Sequence, residues 1–448
     1  MRVQVLKKWD RIRSSFWFIP TVMAGGAMTL AFFTVSRDTQ LMEWLKLNWG
    51  VTFNGGAAGA SSLLASIAGS MITIAGVVFS MTLVALSLAS SQLGPRLLRN
   101  LMRDTTTQMV LGTFVATFLY CLLVLRTIRR AEEVLFVPHL SVALSVIFTV
   151  LSVGVLIYFI HHVSISIQAN EIVARVGKEL IKGIEQVFPQ NIGHGSSPML
   201  TLPSHADFLN SFEREAFPIL SKDDGYLQII DGDALIAMAM QEDFVIRVER
   251  LPGDYIVATR PLVLIWPGSK VTKQVVECVN SAFALGNQRT SVQDVEFLVN
   301  QLVEIAVRAL SPGVNDPFTA ITCLDNLGSA LCRLAKRDMP SPYRYDTQDK
   351  LRVITPILTF PNLLDTAFNQ IRQYSHSSTA VTIRLLETIA EVARFAHRPE
   401  DRVALLLHAK MIARGSVNGL SEERDRQDVE KCFQLANYLL SDSPNLVV

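Results

Sequence analysis

Small hydroxyl and glycine residues recur along one long uncharged stretch of the chain, residues 61–94. At alternating steps of four and three, interrupted at Leu83, they share one helical face: Ser62, Ser66, Gly69, Thr73, Gly76, Ser80, Ser87 and Ser91. Uncharged hydroxyls do no acid–base chemistry here. They either line a water-filled path or let helix backbones approach closely inside a membrane. The sequence leaves both uses open.

A second hydroxyl face lies within residues 139–167, and two adjacent histidines, His161 and His162, lie at the expected inner boundary of this stretch. The hydroxyl residues of this face are Ser141, Ser145, Thr149 and Ser152. The two faces either pack together or border a shared aqueous path. A proton relay would need an ionisable residue deeper in the membrane, and the apolar stretches contain no Asp, Glu, Lys or Arg. The histidines therefore act either as interfacial anchors or as a pH-sensing gate.

In the charged half of the chain, residues 311–317 (Ser-Pro-Gly-Val-Asn-Asp-Pro) form the main candidate site. Pro-Gly stops one helix, and Asp316 before Pro317 suits an N-cap with proline at the first helical position. The alternative is a loop that directs Asn315 and Asp316 at a ligand or a neighbouring subunit.

Patterns typical of enzymes are missing from the sequence: it has no G-x-S-x-G, H-E-x-x-H, Walker or Rossmann motif. Scattered cysteines without a C-x-x-C pair predict unpaired thiols in a reducing compartment. They are Cys121, Cys278, Cys323, Cys332 and Cys432. We expect no catalytic residue, no metal and no cofactor. The formal net charge of +1 does not favour a nucleic-acid partner.

Four uncharged apolar stretches, each long enough to cross a bilayer, precede Glu171. They predict spans at about 16–35, 61–94, 105–125 and 139–167. Basic residues before the first span and after the second predict that both termini are cytoplasmic. These residues are Arg2, Lys7, Lys8, Arg11, Arg13, Arg96, Arg99 and Arg103. Arg126, Arg129 and Arg130 lie in the opposite hairpin and weaken this orientation.

After a membrane domain at 1–168, the soluble part divides into a helix and linker (169–203), a small β-rich module (204–270) and a helical domain (271–448). Strands are expected at 226–230, 244–248 and 255–257, with turns between them. Residues 251–262 resemble the small barrel of biotinyl and lipoyl carriers, but no lysine lies between Lys222 and Lys270 to carry a cofactor. The expected fold is a membrane α-helical domain of four transmembrane helices. It is joined to a cytoplasmic α+β region with a β-barrel-like module and a helical C-terminal domain.

Three segments of the chain carry a joint pattern. They are the long helix from Ala-Gly-Ser at 68–70 to Gln-Leu-Gly-Pro-Arg at 92–96, the strand-rich segment 225–254, and residues 293–317 with their Arg-Ala-Leu-Ser-Pro-Gly-Val-Asn-Asp-Pro ending. Together they resemble a bacterial family of predicted membrane proteins, domain of unknown function 2254. The resemblance implies a multi-pass protein of the bacterial inner membrane and carries no activity with it.

Two functions remain open. The first is a homo-oligomeric ion channel or channel-like transporter with a cytoplasmic regulatory domain, because an overlong helix with a small polar face is paired with a large soluble part. The second is a membrane-anchored sensor or scaffold whose cytoplasmic domain binds a protein or a small ligand. The expected partners are the lipid bilayer, further copies of the chain and that unidentified protein or ligand.

Overall fold

The computed structural model describes residues 15–38, 56–94, 104–128, 136–188 and 211–441. The described residues of Lys7–Glu171 form one compact unit, and those of Ile172–Val448 form a second. Several features discussed above lie outside the described residues: the basic N-terminus, the basic residues at 96–103, Arg129 and Arg130, and the linker at 189–203.

The first unit contains four helices that are long and apolar enough to cross a membrane. They are α1 (Phe18–Ser36), α2 (Gly56–Leu93), α3 (Thr105–Thr127) and α4 (His139–Ser166). The four apolar helices expected from the sequence are thereby confirmed. Helix α2 begins at Gly56 rather than at residue 61, and its 38 residues extend for about 57 Å, nearly twice the ~30 Å hydrocarbon core of a bilayer.

Helix α3 is the central helix of this unit, because α1, α2 and α4 all pack against it. In its most apolar window 50% of the residues are buried, against 17% in α1 and 22% in α2 and α4. Gly112 permits the approach of α1: a Cβ at this position would lie 2.6 Å from the Met23 sulfur and 3.2 Å from the Pro20 Cα. Small residues at such contacts are typical of helix packing in membranes.

Helix α5 (Ala169–Val187) opens the second unit and is amphipathic. Its apolar residues recur at helical spacing and are buried, as a surface helix requires: Ile172, Val173, Val176, Leu180 and Ile184. The amphipathic helix predicted at the start of the charged half is therefore present.

Two sheets follow. The first has the strand order β1-β5-β3-β8-β7 and the second the order β4-β2-β6. The strands are β1 (Phe217–Leu220), β2 (Gly225–Ile230), β3 (Val245–Val248), β4 (Tyr255–Ile256), β5 (Pro261–Trp266), β6 (Phe283–Gly286), β7 (Tyr343–Tyr345) and β8 (Leu351–Ile354). Strands β3 and β8 pair in parallel, and the other pairs are antiparallel.

One apolar core joins the two sheets to helices α6 (Gly232–Glu242) and α7 (Lys273–Ala282). Phe244, Ile246 and Val279 are among its fully buried residues. The described strands form no closed barrel, so the barrel-like part of the expected fold is not confirmed. The region is a mixed α/β arrangement. It includes β6, β7 and β8 from the segment 271–448 that was expected to be helical, and β8 pairs in parallel with β3.

The remaining helices pack together as a helical region: α8 (Val295–Ala309), α9 (Pro317–Ala335), α10 (Phe360–Ser375), α11 (Thr379–Ala393), α12 (Pro399–Gly419) and α13 (Glu423–Ser441). Their starts follow local side-chain chemistry. Asp294 caps α8 by accepting the N–H of Phe297 at 2.9 Å, and Thr359 begins α10 with a capping box. Each cap satisfies backbone donors that a helix start leaves unpaired.

Candidate functional site

All eight residues of the polar stripe on α2 are exposed. They are Ser62, Ser66, Gly69, Thr73, Gly76, Ser80, Ser87 and Ser91. No atom of another element lies within 4 Å of the position that a Cβ at Gly69 or Gly76 would take. The Thr73 hydroxyl donates to the Gly69 carbonyl at 2.8 Å. The stripe thus presents small side chains on an open surface, and the Thr73 hydroxyl is satisfied within the helix.

The packing face of α2 lies on the opposite side of the helix. Leu64, Met71 and Val78 are buried there, at 0%, 3% and 1% exposure, in contact with the rest of the first unit. At 3.6 residues per turn, these positions are about half a turn away from the stripe. The stripe therefore takes no part in packing the described helices of one chain.

The hydroxyl face of α4 is buried, unlike the exposed stripe on α2. Its residues Ser141, Ser145 and Ser152 are all buried. The Ser141 hydroxyl donates to Thr34 of α1 at 3.1 Å, and Thr34 lies 3.1 Å from the Tyr120 hydroxyl of α3. Further toward the C-terminal end of α4, the hydroxyl of Ser152 lies 3.3 Å from that of Thr117 on α3. This face joins α4 to α1 and α3 through interhelical hydrogen bonds, and it does not meet the stripe on α2.

His162 contacts a carboxylate at the other end of α4. Its Nε2 lies 2.7 Å from Asp104 Oδ2, and its ring stacks on Tyr158. The Thr107 hydroxyl donates to the same carboxylate at 2.7 Å, and the Thr106 N–H donates at 3.2 Å. Burial alone would raise the pKa of Asp104, but these hydrogen bonds and His162 outweigh it and lower the pKa.

The opposite end of α4 is capped by another acid. Asp38 follows α1 and is 4% exposed, and its Oδ1 accepts the Leu140 N–H at 2.9 Å. Burial raises the pKa of Asp38, although the backbone N–H of Leu140 opposes the rise. Asp38 thus connects the end of α1 to the start of α4, where the helix dipole favours a carboxylate.

The loop at 311–317 is a helix-to-helix corner in which Asp316 caps α9. Its carboxylate accepts the Thr319 N–H at 3.1 Å and the Thr319 hydroxyl. Asn315 is exposed and has a φ of 47°, a left-handed conformation that Asn tolerates better than most residues. Phe318 and Val314 beside it are 77% and 55% exposed. Asp316 is occupied by capping, while Asn315 sits in an exposed apolar surrounding.

The cysteines are all free thiols in the structure. Burial raises the pKa of Cys332 to about 11, and it raises the pKa of Cys323 as well. Thiols of this kind are poor nucleophiles at neutral pH. Within the described ranges, no group of three or more His, Cys, Asp or Glu side chains is placed to hold a metal ion.

Sequence reasoning missed the partners of the helix ends. The spans were bounded by their uncharged residues, so Asp38 and Asp104 fell just outside them. Asp104 directly precedes Thr105 and the apolar run, which is a recognisable N-cap pattern. The pairing of Asp104 with His162 depends on tertiary packing, so no local sequence pattern indicates it.

A family model described as "Predicted membrane protein (DUF2254)" matches residues 13–391. The chain is also similar to three uncharacterized proteins: Mb1321c of Mycobacterium bovis, and Rv1290c and MT1328 of Mycobacterium tuberculosis. Each is 30% identical over 430 residues, which cover 93% of this chain and 79% of the relative. No solved structure matches the chain significantly.

Proposed function

Because this chain belongs to the DUF2254 family of predicted membrane proteins, we propose that it is a multi-pass protein of the bacterial inner membrane that assembles from identical copies into an ion channel or channel-like transporter. Both termini are cytoplasmic in this proposal, and the second unit regulates the path. Helix α2 supplies the wall that copies share around their common axis.

The main support for this proposal is the outward position of the stripe on α2. Leu64, Met71 and Val78 already hold α2 against its own bundle, so the opposite face remains available to another copy. Lipid tails favour apolar side chains, whereas Ser, Thr and Gly suit close helix contact or a wet path. Copies that turn this face inward would remove the polar stripe from lipid.

The length of α2 supports the same arrangement. Its roughly 57 Å exceeds the hydrocarbon core by about 27 Å. A helix of this length in a ring of copies projects beyond the membrane, and there it can border a vestibule. The stripe reaches Ser91, close to the end of α2 at Leu93, so the polar lining would extend into that projection.

Ion flux through liposomes that contain the full-length protein tests the proposal, with Thr73→Trp and Ile72→Trp as a matched pair. Both side chains are exposed, but neighbouring positions point about 100° apart around a helix. We expect Thr73→Trp to reduce flux several-fold and Ile72→Trp to leave it unchanged. Equal effects of the two variants, or no flux under any tested voltage, tension or pH, would contradict the proposal.

The mass of the assembly separates the two uses of the stripe. If the stripe lines the path, Thr73→Trp lowers flux while native mass spectrometry still finds the wild-type oligomer. If the stripe only packs copies together, the same variant lowers the oligomer mass. A monomeric wild-type protein in detergent and in nanodiscs would contradict the assembly itself.

The alternative function is a membrane-anchored sensor or scaffold, and exposed Phe318 and Val314 beside Asn315 favour it. Large apolar side chains grouped on a surface mark interaction sites. A photoreactive phenylalanine analogue in place of Phe318 tests this in cells that express the full chain. A discrete adduct other than the chain's own dimer supports the sensor or scaffold. A dimer adduct instead places this corner between copies.

A further inference from the structure

A groove of about 630 Å³ lies between the C-terminal parts of α1 and α3. Most of its wall is apolar, with Phe32 and Val35 on α1, Leu123 on α3, and Phe136 after α3. Thr127 and Arg126 add polar groups at the end of α3. The volume falls in the range of small-molecule sites, roughly 300–1,000 Å³. The groove is therefore large enough for an elongated apolar group.

Arg126 is the charged residue of this groove, and it is exposed in the last turn of α3. It forms no hydrogen bond or ion pair with a residue of the described ranges. Asp38, the acid that follows α1, accepts the Leu140 N–H at 2.9 Å and forms no ion pair with Arg126. The helix dipole favours a cation at this end, which explains a basic residue here but not the apolar groove beside it.

The other polar groups of the lining are already satisfied. The Thr127 hydroxyl donates to the Val124 carbonyl at 2.6 Å, and the Ser36 hydroxyl donates to the Phe33 carbonyl at 3.0 Å. Arg126 is thus left to supply the free donors. A guanidinium binds phosphate through two parallel charge-assisted hydrogen bonds. A matching ligand combines one anionic oxygen group with an extended apolar chain.

We propose that this groove binds one anionic phospholipid, with its phosphate on Arg126 and an acyl chain along Val35 and Leu123. The site lies at the end of two membrane helices, where headgroups and acyl chains meet. Basic pockets between membrane helices bind anionic headgroups in this way. The lipid also accounts for an arginine in a hairpin where the charge distribution of the chain disfavours one. The site does not depend on whether the protein conducts ions.

Native mass spectrometry of the full-length protein, re-lipidated with phosphatidylglycerol or phosphatidylcholine, tests the proposal. We expect the wild type to retain phosphatidylglycerol about tenfold more than phosphatidylcholine, the factor for one charge-assisted contact. Arg126→Gln should abolish that preference, while Lys178→Gln, an exposed lysine that does not line the groove, should retain it. Val35→Phe, which fills the groove, should lower the retention of both lipids.

Three results of the lipid-retention measurement would overturn the assignment. The first is equal retention of the two lipids by the wild type, and the second is an unchanged preference in Arg126→Gln. The third is unchanged phosphatidylglycerol retention in Val35→Phe, which would remove the acyl chain from the groove. Inorganic phosphate without lipid separates the two sources of the anion. If phosphate alone raises the melting temperature as much as phosphatidylglycerol does, the site binds a free anion instead of a lipid.

Discussion

The imidazole of His162 lies 2.7 Å from the carboxylate of Asp104, and this contact joins the last part of α4 to the start of α3. Asp104 is also the N-cap of α3, since it accepts the Thr106 N–H at 3.2 Å. One carboxylate therefore satisfies a helix start and holds a second helix. Both side chains are only about one-fifth exposed, at 21% and 20%, so the contact is partly shielded from solvent.

Asp104→Ala should lower the free energy of unfolding by about 1–2 kcal/mol, the usual cost of losing an N-cap. Asp104→Asn keeps an oxygen that accepts the backbone N–H, so it should cost less than the alanine variant. Thermal unfolding of the detergent-solubilised protein measures both. Equal melting temperatures for wild type and Asp104→Ala would contradict the capping role.

The pH dependence of this contact follows from the lowered pKa of Asp104. The folded protein holds the pKa of Asp104 below its usual value of 3.8. Ionised Asp104 therefore stabilises the fold at neutral pH. That contribution is lost only as the pH falls below about 4, through the folded pKa. Wild type and Asp104→Asn should therefore differ most at neutral pH and converge in acid. A difference between them that grows in acid would contradict this sign.

Gly112→Ala should destabilise the helix bundle, because its Cβ would collide with Met23 at 2.6 Å. Overpacking of this kind costs about 1–3 kcal/mol. Gly154→Ala is the matched control: Gly154 lies on α4 with no atom of another element within 4 Å of its Cβ position, and alanine favours a helix. Thermal unfolding should show a lower melting temperature for the first variant only. A similar fall in both variants would show that the effect does not come from the contact with Met23.

The membrane helices could be predicted because their signal is local. Long uncharged apolar runs exist for few other reasons, and each expected span lies at a helix of the first unit. Helices α8 to α13 lie within the segment 271–448, which the sequence predicted to be helical.

Only part of the mixed α/β region could be predicted from the sequence. Strands β2, β3 and β4 lie where the sequence predicted strands, but β6, β7 and β8 lie in the segment 271–448 that was expected to be helical. Strand β8 pairs with β3 through Val353 and Ile246, and no local pattern reveals a partner so far along the chain. A turn was expected after the first of the predicted strands, β2, but Asp231 at this position caps α6 by accepting the Ala234 N–H. Asp serves either role.

The candidate site could also be predicted only in part from the sequence. The small residues of α2 share one face, as their spacing predicted, but the sequence did not reveal that this face points away from the bundle. That direction depends on which face of α2 packs against the bundle, and this is the face of Leu64 and Met71. The two faces differ little in polarity, so tertiary packing decides between them. Whether Thr73 and Gly76 line a path or pack against another copy stays a prediction.

The thiols should react in an order set by burial. Cys278 is exposed, whereas Cys323 is fully buried, and burial raises the pKa of Cys332 to about 11. Maleimide at pH 7 should label Cys278 first, Cys332 slowly, and Cys323 only after denaturation, since the thiolate is the reactive form. Peptide mass spectrometry of the labelled full-length protein measures this order. Rapid labelling of Cys323 in the folded protein would contradict its placement in the core.

His408 is 1% exposed in α12, and its Nε2 lies 2.8 Å from Asp365 Oδ1. Burial lowers the pKa of His408, and the nearby Arg372 adds to this, although Asp365 opposes it. The folded protein therefore holds the imidazole neutral at a pH where the unfolded chain already binds a proton.

This difference sets the sign of a pH effect. As the pH falls through about 6.5, the unfolded chain gains a proton that the fold resists, so the free energy of unfolding should fall by up to about 1.4 kcal/mol per pH unit until the folded pKa is reached. His408→Gln should reduce that slope, whereas His376→Gln, at an exposed histidine, should retain it. Unfolding by denaturant at pH 5 to 8 measures the slopes. If the slope of His408→Gln equals that of the wild type, another group is the one that titrates.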